Sequence, residues 1–199
     1  MIMKNNMFEI QLNNLLPYIG NNIVIKHLYY QSNYNGNEFG ILNGVYPLYD
    51  KDKNIFWQYT TDNNSTGQSL KYCLPLLKPL SDTIMLLKNG EIPIIECANL
   101  AGLDVINHEA FEFRIEQNTV ICERQITSKS FEGFEIDFDD FGFDLYRIRK
   151  TKNGEKTTIK VVSNPDLIIQ YLYSKGFDIQ NLIENKMALN INDFPQFKY

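Results

Sequence analysis

Along most of this chain, apolar and polar positions alternate with a period of two over runs of four to ten residues. Asn- and Gly-rich breaks separate the runs. That pattern predicts half-buried strands joined by tight turns rather than long helices. The runs predict strands at Asn22–Tyr30, Glu38–Val45, Asn54–Thr60, Ala110–Glu116, Thr119–Ile126, Glu135–Phe138, Leu145–Lys150 and Thr157–Val162. Asn153-Gly154, set between two such runs, is a strong signal for a two-residue hairpin. A turn there sets Arg149 opposite Thr158, Ile148 opposite Ile159, Arg147 opposite Lys160 and Tyr146 opposite Val161.

Helical spacing gathers near the C-terminus. Ser163-Asn164-Pro165-Asp166 supplies a capping side chain, a proline at the first helical position and an acid in the first turn. Leu167, Ile168, Tyr171 and Leu172 then recur on one face, and Gly176 is a natural stop. Asp178 is placed to cap a second short helix carrying Ile179, Leu182 and Ile183. A further candidate, Ser81–Lys88 with Ser81 as N-cap, reads equally as a hairpin arm. The fold expected is therefore α+β: a mainly antiparallel sheet of meanders and hairpins, with a C-terminal helical hairpin packed against it. One domain of 199 residues is expected, with a soft seam near residues 101–108 where the pattern turns irregular.

Composition narrows the function classes. No apolar run reaches the ~20 residues that span a bilayer, and the N-terminal MIMKNNMFEI lacks the features of a signal peptide, so a cytoplasmic protein is expected. Three widely spaced cysteines, Cys73, Cys97 and Cys122, fit free thiols in a reducing compartment. With His27 and His108 the only imidazoles, neither a structural zinc site nor any other cofactor is expected. A Cys97 or Cys122 pairing with His108 has no local signature. A net charge of −5 opposes binding to bare nucleic acid, whose affinity rests on phosphate neutralisation. The G-x-S-x-G, G-x-x-x-x-G-K-[ST] and G-x-G-x-x-G signatures of common hydrolases and nucleotide enzymes do not occur.

Two stretches are unusual. In FEGFEIDFDDFGFD, residues 131–144, six carboxylates are threaded between five phenylalanines. Read as a calcium loop from Asp137, it supplies Asp139 and Gly142 in place. Phe141 and Ile148, however, stand where a donor and the bidentate glutamate belong. Read as a strand, Phe134, Ile136 and Phe138 join the face of Tyr146 and Ile148. Parity then sets Glu135, Asp137 and Asp139 beside Arg147, Arg149 and Lys160. Asp140 to Asp144 form the connection in that reading, so Asp139, Asp140, Phe141, Phe143 and Asp144 are candidate partner-binding residues. The second stretch, residues 29–60, is rich in tyrosine beside Asn and Gln; Tyr34, Tyr49 and Trp57 are its candidate contact residues.

The segments LLKPLSDTI, KNGEIPI and FDIQNLIENKMALNIND resemble an uncharacterised family of small phage and prophage accessory proteins of Bacteroidota. That family carries R/K-P-L-S-D followed by N-G-E and ends in F-D-I-x-x-L-I-E-x-G-L-A-I-D-I-N. Leu77–Asp82, Asn89–Glu91, Phe177–Glu184 and Ala188–Asn192 match it, about a quarter of the chain. Lys186 stands at a position where the family has glycine. The resemblance implies a mobile-element accessory protein in a bacterial host. Within that setting, we expect a non-enzymatic inhibitor of a host defence nucleoprotein of anti-CRISPR type. It would act by protein–protein contact, with a CRISPR ribonucleoprotein effector or another host or phage protein as partner. Two alternatives stand beside it: a phage assembly or replication accessory, and a metal-dependent nuclease using the Asp137–Asp144 cluster.

Overall fold

The computed structural model describes residues 12–28, 38–62, 64–70, 73–105, 110–139, 142–151, 156–162 and 164–197. In chain order these form α1 (Leu12–Leu15), β1 (Val24–His27), β2 (Phe39–Tyr49), β3 (Ile55–Thr61), β4 (Asn64–Ser69) and β5 (Cys73–Leu77). They continue with α2 (Pro93–Leu100), β6 (Phe111–Glu116), β7 (Thr119–Thr127), β8 (Ser130–Asp139) and β9 (Gly142–Thr151). Last come β10 (Lys156–Val161), α3 (Pro165–Ser174) and β11 (Leu189–Asn190). The architecture is mixed, with two mostly antiparallel sheets. The chain divides into two compact units: residues up to Lys78 together with those from Tyr173 on, and Pro79–Leu172. Residues 101–105 lie inside the second unit.

The first unit carries the sheet β11-β5-β1-β2-β3-β4, in which only β11 runs parallel to its neighbour. β5, CLPLL, is buried at every position. A continuous apolar run has no period of two, which is why alternation passes over it. Ile25, Leu42, Tyr59, Leu77 and Leu182 fill the core beneath the sheet with Leu15 and Tyr18 of the N-terminal turn. The Tyr18 hydroxyl donates to the Phe177 carbonyl at 3.0 Å, so this buried phenol is satisfied. Burial pushes its pKa upward, with Asp178 adding to the effect.

The second unit is built on the meander β6-β7-β8-β9-β10. Its β9–β10 register follows the sequence expectation: Arg149 opposite Thr158, Ile148 opposite Ile159, Arg147 opposite Lys160, and Tyr146 opposite Val161. A bulge then brings Lys156 opposite Lys150, while Asn153-Gly154 lies outside the described residues. The β8–β9 parity corrects the expectation. Asp139 pairs directly with Gly142, so the connection is two residues long, not five. The shorter connection pairs even residues with odd ones, placing Glu132 opposite Arg149, Phe134 opposite Arg147, Ile136 opposite Leu145 and Asp137 opposite Asp144. Phe134, Ile136, Val120, Cys122 and Leu145 thereby share one buried face, against which α2 packs. Glu135, Glu123 and Lys150 share the other.

The C-terminal segment departs from the expected helical hairpin. α3 begins at Pro165 and ends before Gly176, whose φ of 76° gives the left-handed stop; the expected cap Ser163 lies outside the described residues. No second α-helix follows among the described residues; two single 3-10 turns, Ile191–Asp193 and Pro195–Phe197, do. Asp178 does accept backbone N–H groups, from Leu182 at 2.8 Å and Ile183 at 2.7 Å. Asn181 and Lys186, however, take φ of 55° and 58°, which interrupts helical geometry on both sides of Ile183. Ser81 likewise does not cap a helix; Leu80–Ile84 is one 3-10 turn with Pro79 at its start.

Two substitutions test this packing. A Cβ on Gly133 would lie 2.5 Å from the Cys122 carbonyl oxygen and 2.8 Å from the Glu123 Cβ. Gly133→Ala is therefore expected to destabilise by about 2 kcal/mol in urea titration. Thr61 Oγ1 is buried without a hydrogen-bond partner among the described residues. Thr61→Val is expected to stabilise by about 1 kcal/mol, because it removes an unsatisfied hydroxyl at nearly constant volume.

Candidate interaction surface

The β2–β3 hairpin outruns its neighbours. β1 covers β2 only at Phe39–Ile41, and the pairing shifts at a bulge between Leu42 and Gly44. On the other side β4 ends at Ser69, opposite Gln58. Pro47–Tyr49 and Ile55–Trp57 therefore form a two-stranded arm whose described residues pair only with each other. Cross-strand partners are Pro47 with Trp57, Leu48 with Phe56, and Tyr49 with Ile55. Pro47, Tyr49, Ile55 and Trp57 stand on one side of the ribbon, Leu48 and Phe56 on the other.

An isolated hairpin is marginal in water, so its turn needs its own support. Asp50 provides it. Its Oδ1 accepts from the Asp52 and Asn54 backbone N–H groups, and its Oδ2 from the Asn54 side chain, each at 2.8 Å. The same bonds hold the Asp50 carboxyl below the usual carboxylate range, those from Asn54 most strongly. Lys53 completes the turn with φ of 63°.

What the arm shows to solvent is apolar. Tyr49 is 66% exposed, Ile55 55%, Phe56 51% and Leu48 43%; Trp57 is half-buried. The only charged residues between Phe39 and Thr61 are Asp50, Lys51, Asp52 and Lys53 in the turn, and their charges cancel. Contiguous exposed apolar side chains rimmed by charge mark binding surfaces.

Comparison with protein-family models, curated proteins and solved structures finds no match.

Of the candidate residues named from sequence, Tyr49 and Trp57 come together on the arm. Tyr34, Asp140 and Phe141 lie outside the described residues. Asp139 closes β8 opposite Gly142, and Phe143 stands in β9 opposite Phe138. Asp144 belongs to a strand, not to a connection: it faces Asp137 across the ladder and accepts from the Tyr146 hydroxyl at 3.1 Å. Leu48, Ile55 and Phe56 were not singled out. Their signal is the loss of alternation in VYPLY and IFWQY, where both parities are apolar and one strand face cannot bury them all.

A second polar constellation lies on the β6–β9 sheet. Arg114 Nη1 donates to Glu123 Oε1 at 2.5 Å and Lys150 Nζ to Glu123 Oε2 at 3.3 Å; Lys150 also reaches Glu135 Oε1 at 2.9 Å. Burial raises the Glu123 carboxyl pKa, but Arg114 and Lys150 outweigh it and hold the group below its ordinary value. Glu135 is 1% exposed. This network ties four strands, β6 to β9, and holds carboxylates as ion-pair acceptors. The expected pairing of Asp137 and Asp139 with Arg147 and Arg149 is replaced by it. Among the described residues no group of three His, Cys, Asp or Glu could hold a metal ion.

In the first unit, His27 Nδ1 lies 2.8 Å from the Tyr59 hydroxyl, which donates to Gln68 Oε1 at 3.1 Å. That order of donors assigns the proton of the neutral ring to Nδ1. Burial lowers the His27 pKa, while Gln68 and Asp62 pull it back. Cys73 faces His27 in the neighbouring strand, and burial pushes its thiol pKa well up. Burial likewise pushes Cys122 up to about 12; all three cysteines are buried and free. These are protonated core thiols rather than nucleophiles. His108 lies outside the described residues.

Two measurements follow from these groups. A histidine with a lowered folded pKa adds stability above its unfolded value and loses it as pH falls through about 6.5. Urea unfolding followed by Trp57 fluorescence is expected to weaken from pH 6.5 downward, and His27→Gln to flatten that slope. Glu123 acts lower: its depressed pKa makes its contribution fade as pH falls below about 4.5. Lys150→Met leaves Glu123 and Glu135 short of a cation and is expected to cost about 3 kcal/mol at neutral pH, read by far-UV circular dichroism.

Proposed function

We propose that this protein acts by binding another protein through the β2–β3 arm, and that the partner is a host nucleic-acid-guided defence complex which it inhibits. The observation that carries the binding role is the arm itself: four large apolar side chains held in solvent on a ribbon ordered by Asp50. Keeping such a surface exposed carries an aggregation cost, offset where a partner covers it. The class of partner comes from the resemblance of the Leu77–Asp82 and Phe177–Glu184 segments to prophage accessory proteins. An acidic chain of net charge −5 suits contact with the protein component of a nucleoprotein rather than its nucleic acid.

In this reading Tyr49, Phe56 and Trp57 are the anchors and the alternating charges of the turn form the rim. Tyr49→Asp or Phe56→Asp is expected to weaken binding to a purified effector ribonucleoprotein by about 2 kcal/mol, roughly 30-fold in Kd, with matching loss of inhibition of target cleavage. Folding of each variant is checked by circular dichroism. Inhibition unchanged with both side chains replaced would remove the arm from the mechanism. Absence of binding to any such effector would remove the proposed partner class.

A further inference from the structure

The arm offers more than side chains, because its two edges differ. The Asp50 N–H donates to the Asn54 carbonyl, which fixes the alternation of the ladder. Counting outward, Leu48 and Phe56 form the hydrogen-bonded pair, while Tyr49–Ile55 and Pro47–Trp57 are non-hydrogen-bonded pairs. The N–H and C=O groups of Ile55 and Trp57 therefore point away from β2, to the outer edge of β3. β4 stops short of them at Gln58. The opposite edge is interrupted: Pro47 stands where an outward N–H would be and has none. Among the described residues, the β3 edge of the arm is the one fit to accept a strand.

We propose that this edge docks on the same edge of a second copy of the chain, forming a reversible two-fold dimer in the free protein. It rests on the reading of the arm as a protein-binding surface and names one occupant of it. An antiparallel strand edge is self-complementary about a two-fold axis. With the axis at Phe56, Ile55 of one copy faces Trp57 of the other. The outward groups of these residues supply four backbone hydrogen bonds, and the two Phe56 side chains meet across a close, non-hydrogen-bonded pair. The two arms become one four-stranded sheet carrying Tyr49, Ile55 and Trp57 of both copies on a single side.

At this edge Ile55 and Phe56 are 55% and 51% exposed, and in the dimer they pack beside their counterparts across the new ladder. Charge fits as well. Two acidic chains repel one another, but the strands of the arm carry no charge and the turn residues sum to zero. The arm is thus a place where two copies can meet without opposing charge.

Trp57 is the sole tryptophan, and its ring, half-buried against the core of the first unit, stands on the strand that forms this edge. Sedimentation of the isolated full chain across the micromolar range is expected to show monomer and dimer in exchange, with Trp57 emission moving to shorter wavelength along the same isotherm. Phe56→Lys, and independently Ile55→Lys, should weaken the dimer by about tenfold or more and leave emission at its monomer position. Leu86→Lys, at an exposed apolar position of the other unit, should change neither readout. Since the native cysteines are buried, Phe56→Cys should yield a disulfide-linked dimer under mild oxidation. A chain that stays monomeric throughout, a dimer that survives both lysine variants, or an emission unchanged by association would each overturn the proposal. None of these results touches effector binding by the monomer, which the Tyr49 and Phe56 variants decide separately.

Discussion

The constraint on which the candidate surface depends is a mismatch of strand lengths. β2 runs for eleven residues, but β1 has four to set against it, and β4 stops opposite Gln58. β1 pairs with β2 only as far as Ile41, and beyond the bulge between Leu42 and Gly44 β2 pairs, among the described residues, with β3 alone. Below the bulge, Ile25, Leu42 and Tyr59 are buried in the core. Above it, Val45 and Trp57 still pack against that core, while Leu48, Tyr49, Ile55 and Phe56 continue into solvent. A two-stranded ribbon in water survives on its turn and its cross-strand pairs, and here Asp50 closes the turn with three hydrogen bonds.

The two units solve the problem of buried polar groups differently. In the first, the buried imidazole is satisfied through Tyr59 and Gln68, and the buried Asp178 carboxyl through the Leu182 and Ile183 backbone N–H groups. In the second, Arg114 from β6 and Lys150 from β9 come to pair with Glu123 and Glu135. A buried pair of this kind adds little net stability, yet it penalises a slip in register severely, since each charge would then lose its partner. Gly133 makes the arrangement possible by letting β7 approach closely at Glu123.

Much of the sheet was legible in the sequence wherever a turn of defined length joined alternating runs. The β9–β10 ladder follows from Asn153-Gly154 alone, pair by pair from Arg149 to Tyr146. The β8–β9 ladder does not, because alternation fixes which residues share a face within a strand but only the turn length fixes which faces meet. Two residues in place of five set Arg147 opposite Phe134 and turn Lys150, not Arg147 and Arg149, to the face of Glu135. β5 and β4 escaped notice for opposite reasons, one apolar throughout and the other, NSTGQS, without an apolar residue. The missing second helix is a local matter: the Asp178 cap formed, and left-handed Asn181 and Lys186 stopped what it would have begun. For the candidate site, Tyr49 and Trp57 were visible as aromatics, but that they stand on an uncovered ribbon depends on where β1 and β4 end.

The central claim is that the β3 edge at Ile55–Trp57 is open and is the part of the arm that a bound protein covers. Residue-resolved amide hydrogen exchange tests it directly. In dilute monomer, the Ile55 and Trp57 amides should exchange fast and the Phe56 amide slowly, since only Phe56 points to β2; on binding of a second protein, whether another copy or the effector, all three should be slow. Ile55 and Trp57 amides already protected in the dilute monomer, or left unprotected in every complex, would contradict the account.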